Sequence, residues 1–95
     1  MTKVEIESYV IKWGDRYALV PRKDKEVLEV LVGRRVTVTI VSDVGVHIMD
    51  VKVSKNPQYG VIVYLPKRMR PTWERLHEKT LKAIIEVGDD DFLQP

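Results

Sequence analysis

Residues 4–41 run VEIESYVIKWGDRYALVPRKDKEVLEVLVGRRVTVTIV, and residues 49–86 run MDVKVSKNPQYGVIVYLPKRMRPTWERLHEKTLKAIIE. Laid over one another at a shift of 45 residues, the two stretches keep one apolar phase without a gap. Pro21 falls on Pro66 and Leu31 on Leu76. Val36, Val38 and Ile40 fall on Leu81, Ala83 and Ile85, and Val4, Ile6 and Ser8 on Met49, Val51 and Val53. A period of this size marks a repeated supersecondary unit.

Each copy reads as ββαβ. In the first, Val4, Ile6, Ser8 and Val10 alternate with Lys3, Glu5 and Glu7, the pattern of a half-buried strand. Lys12-Trp13-Gly14-Asp15 is a turn, and Arg16 to Val20 is a strand stopped by Pro21, which lacks a ladder donor. Asp24 caps a short helix with apolar positions Val27, Leu28 and Leu31, and Gly33 supplies the positive φ that ends it. Arg35 to Val41 is the third strand. The second copy repeats the series: strand His47–Lys55, turn Asn56-Pro57-Gln58, strand Tyr59–Leu65, a short helix after Pro71, and strand Thr80–Val87. Ser42-Asp43-Val44-Gly45 joins the copies and is too short for a domain linker. Six strands with exposed edges are best relieved by closure. The expected fold is therefore an all-β, six-stranded barrel with two short helices and pseudo-twofold symmetry, built as one domain over residues 1–95 and ending in a short acidic tail, 88–95.

At 95 residues, 44% hydrophobic and 32% charged, the chain fits one globular domain. It has no cysteine, which excludes disulfides and thiolate zinc sites. No apolar run approaches a membrane span, and charges interrupt the N-terminus before any signal-like region. A cytoplasmic, monomeric protein without membrane contact is expected. All sixteen Lys and Arg precede Glu86, so residues 1–85 carry a net +6 and residues 86–95 a net −4. A basic body suits an anionic partner.

Lys12-Trp13-Gly14-Asp15 followed by Leu19-Val20-Pro21-Arg22 resembles the opening of AbrB-like and MazE-like swapped-hairpin transcription factors, and Gly60 to Lys67 resembles the same strand in the second copy. Those proteins carry one ββαβ unit per chain and close a barrel by dimerising, whereas this chain carries two. The arrangement is similar to cradle-loop barrels, and most to the small archaeal RIFT-type proteins, with double-psi or swapped-hairpin barrels as alternatives. The family's Gly-Asp before the third strand is Gly33-Arg34 in one copy and Glu78-Lys79 in the other. The resemblance implies a DNA-binding, transcription-regulator-like role.

Arg22 and Lys23 align with Lys67 and Arg68, each pair just before a short helix, and Arg70 follows. With Lys12, Arg16 and Lys55 from the turns, they make a candidate set of phosphate contacts for double-stranded DNA. The alternative is a module that binds a small ligand or a protein at its cradle turns, Lys12–Asp15 and Asn56–Gly60. No catalytic constellation stands out, so an enzyme is not expected. No Gly-rich phosphate loop is present, and His47 and His77 lack partners at ligand spacing, so neither cofactor nor metal is expected. By strand phase His47 points inward. Ser8 bonds nearby backbone, Trp73 packs in the core, and Trp13 is exposed or lids the barrel.

Overall fold

The computed structural model describes residues 2–42 and 45–87, with the side chains of Thr2 and Met49 left aside. The acidic segment 88–95 and the junction residues Asp43 and Val44 lie outside the described residues. Six strands form: β1 Thr2–Trp13, β2 Arg16–Pro21, β3 Arg35–Val41, β4 Val46–Asn56, β5 Gly60–Tyr64 and β6 Thr80–Val87. Helix α1 is Lys25–Glu29, and α2, Arg70–Leu76, follows a 3-10 turn at Lys67–Met69. The strands close into a barrel in the order β1-β2-β5-β4-β3-β6, every pairing antiparallel. Exchanging each strand with the one three places along leaves this ring unchanged.

Alternation fills the barrel. Ile6, Val10, Leu19, Val38, Ile40, Val53, Val63, Ala83 and Ile85 share the interior core. Leu28 and Leu31 after β2, and Trp73 and Leu76 after β5, complete it from the two connections. The Trp73 indole also donates to the Pro66 carbonyl at 2.8 Å, which satisfies its buried N–H. Ser8 is fully buried, and its hydroxyl donates to the Leu81 carbonyl at 3.2 Å, the backbone bond expected of it.

The structure departs from the sequence reading in several places: β2 runs on through Pro21, which pairs with Ser8, and α1 ends at Glu29, before Leu31. Asp24 does precede α1, but its φ is +56° and its side chain caps nothing; only its carbonyl serves, accepting from Val27 N–H at 3.0 Å. His47 faces outward, with its Nδ1 2.9 Å from the Thr39 hydroxyl. The cause is an irregularity in β4: Asp50 adopts φ +59°, the register with β3 shifts between Val36 and Val38, and Val46 and Ile48 face inward instead. The ungapped shift also fails between β1 and β4, although it holds between β3 and β6, where Val36, Val38 and Ile40 and their counterparts Leu81, Ala83 and Ile85 are all buried. Gly33 N–H bonds the Val53 carbonyl and Glu78 N–H the Val10 carbonyl, both at 2.8 Å. Gly33 and Glu78 lie 45 positions apart, but Val10 and Val53 only 43.

Candidate nucleic-acid interface

The β2–β5 ladder sets the geometry. Ala18 pairs with Tyr64 and Leu19 with Val63, so β2 ends where β5 begins. Arg22 and Lys23 therefore leave one end of the ladder, and Lys67 and Arg68 leave the other. At least four residues of strand, roughly 13 Å, separate the two pairs.

Their surroundings differ. The Arg22 guanidinium bonds the Thr80 hydroxyl at 3.0 Å and approaches Glu7 at 3.5 Å. Lys23 reaches the other oxygen of Glu7 at 3.6 Å. Lys67 pairs with Asp15 at 3.5 Å across the mouth of the β1–β2 hairpin. Arg70 pairs with Glu74, one helical turn on, at 3.2 Å. The side chains of Lys12, Lys55 and Arg68 are exposed and have no ion-pair or hydrogen-bond partner among the described residues. The cations thus flank the ladder at both ends, and acids accompany four of the eight. Ion pairs this exposed contribute about 0–1 kcal/mol, so a phosphate can take over such a cation at small cost. The two short helices add little: α1 has five residues with Asp24 before them, and α2 has seven.

Arg16 has a different setting. It lies on the outer side of β2, with its guanidinium 4.6 Å from the centre of the Tyr64 ring. Its Nε is buried without a hydrogen-bond partner. Around it lies a second apolar cluster that the sequence reading missed. Ile11, Ala18, Val20 and Ile62 form it on the outside of the barrel, and Tyr9, Trp13, Tyr59 and Tyr64 pack partly buried against it. The turns at 12–15 and 56–60 meet over this cluster: Trp13 and Tyr59 touch edge to face, ring centres 5.9 Å apart. Trp13 is half-buried on this outer face and does not lid the barrel. A signal existed. Tyr9, Ile11 and Trp13 put apolar groups on the second phase of β1, and Tyr17–Val20 and Val61–Leu65 are apolar on both phases, as strands covered on both faces are.

The turns are tightly built. Gly14 takes φ +65° in the two-residue β1–β2 turn. The buried Asn56 side chain accepts from the N–H groups of Gln58 at 2.8 Å and Tyr59 at 3.0 Å, which fixes the second turn. Beside the first turn is a cavity of about 100 Å³ lined by Asp15, Tyr17, Leu65, Lys67, Arg70 and Trp73. That is well below the few hundred Å³ usual for an organic ligand. A larger groove of about 310 Å³ runs along β1 and β6, lined by Glu5, Glu7, Thr80 and Lys82, away from the turns. Among the described residues no group of three or more His, Asp or Glu is placed to hold a metal ion, and no helix is long and apolar enough to cross a membrane. Tested against known protein families, curated proteins and solved structures, the chain matches none of them.

Proposed function

We propose that this barrel is a non-enzymatic nucleic-acid-binding domain of the transcription-regulator kind, in which Lys12, Arg16, Arg22, Lys23, Lys55, Lys67, Arg68 and Arg70 contact phosphates. The observation that carries the reading is the placement of two basic pairs at opposite ends of one ladder, with Lys12, Lys55 and Arg68 free of acidic partners among the described residues. The same reading takes the barrel as a duplicated cradle-loop barrel of RIFT type, akin to AbrB-like proteins. A ring of pairings that maps onto itself supports it, and so do the matched Gly33–Val53 and Glu78–Val10 hydrogen bonds. A small ligand held between the cradle turns is less favoured, because Trp13 and Tyr59 already meet there.

The test is a titration with short duplex DNA at increasing salt. Affinity should fall on a log–log plot, each phosphate contact adding about 0.9 to the slope. The variant Arg22→Glu with Arg68→Glu should stay folded and lose binding. Absence of binding at low salt, with the protein folded, would end the proposal.

A further inference from the structure

We infer that the outer face of the β2–β5 ladder is a stacking platform for the unpaired bases of single-stranded nucleic acid. The inference rests on the nucleic-acid reading above and names the form of the strand. Four aromatic side chains, Tyr9, Trp13, Tyr59 and Tyr64, cluster on this one face and stay partly exposed. An interior core does not need them, because the barrel is filled by a separate set of residues. The buried aliphatic floor beneath them, Ile11, Ala18, Val20 and Ile62, holds the rings in place.

The charge around this face suits a polyanion. Arg16 lies within it, stacked on Tyr64. Its buried Nε lacks an acceptor, so this side chain gains by turning toward an oxygen that a ligand brings. Arg22 and Lys23 stand beyond one end of the ladder, and Lys67 and Arg68 beyond the other. A single strand can lay its backbone between them and turn its bases onto the rings, as stacking platforms require. A duplex keeps its bases stacked on one another and cannot use the aromatic face.

The protein carries its own reporter. It has two tryptophans, and Trp73 is 1% exposed in the core, so contact quenching of the emission reports on Trp13. The experiment titrates the full chain with a short oligothymidylate, an abasic strand of the same length and a duplex of the same length. Oligothymidylate should quench the emission. The abasic strand, with equal charge and no bases, should bind about tenfold more weakly and leave the emission unchanged. Trp13→Leu, which keeps apolar bulk over the floor, should abolish the quenching and weaken only the single strand, again about tenfold. Equal binding of the abasic strand and oligothymidylate, or tight duplex binding with no quenching by any strand, overturns the stacking platform and leaves the phosphate-contact proposal standing. If no polymer binds at low salt, both fall together.

Discussion

Glu78 holds φ at +66° at the exit from α2, and Gly33 holds +89° at the corresponding exit after α1. Each donates its N–H to a strand carbonyl at 2.8 Å, so the backbone demand is the same at both sites. Glycine meets it without a Cβ penalty, whereas a glutamate in the left-handed region is strained. Glu78→Gly should therefore stabilise the protein by about 1 kcal/mol, seen as a higher urea midpoint. Gly33→Ala should do the reverse by a similar amount. No atom lies within 4 Å of the added Cβ, so the loss at Gly33 would be purely conformational. A drop in the midpoint for Glu78→Gly would mean that the lost side chain matters more than the backbone.

At the scale of elements, β4 shows what the sequence concealed. The bounds of β3 and β6, Arg35–Val41 and Thr80–Val87, follow from strict alternation and are as expected. β4 also alternates, but in two phases joined at Asp50. Counting back in twos from Val53 and Val51 leads to Met49 and His47, whereas the chain buries Ile48 and Val46. A single residue at φ +59° changes the phase, and nothing in the side-chain pattern announces a left-handed aspartate. Deleting Asp50 should heal the bulge into one continuous phase that keeps Val46, Ile48, Val51 and Val53 all inward. The expected change is within about 1 kcal/mol by denaturant titration, because the deletion removes only a left-handed residue and its exposed pair with Arg35, whereas a loss of several kcal/mol would show that the bulge itself is needed. The candidate site was legible to a similar depth. The basic pairs after Pro21 and Pro66 are visible as sequence, and so is their place before the helices. Their partners are not, because Glu7 and Asp15 reach them only through the hairpin geometry. The outer cluster escaped because Tyr9, Ile11 and Trp13 sit on the phase that Glu5 and Glu7 mark as solvent-facing earlier in the same strand.

For the whole molecule, closure within one chain has a direct thermodynamic signature. Among the described residues each of the six strands has two neighbours, so their ring offers no free edge for a second copy to complete. The thermal midpoint should accordingly not move with protein concentration, as scanning calorimetry over a wide dilution range can check. A midpoint that rises with concentration would show coupling to assembly. The seam of the ring lies between β1 and β6, where Thr2 meets Val87 and Tyr9 meets Thr80. These partners are nearly a full chain apart, and β1 pairs along most of its length with the strand made last. During synthesis the first strand must wait, with half its ladder groups unmatched, until β6 emerges. Such distant pairing carries a large loop-closure cost, which places refolding in the millisecond-to-second range. The interval before the seam shuts is when a nascent chain of this protein is most open to capture by chaperones or by its neighbours on the polysome.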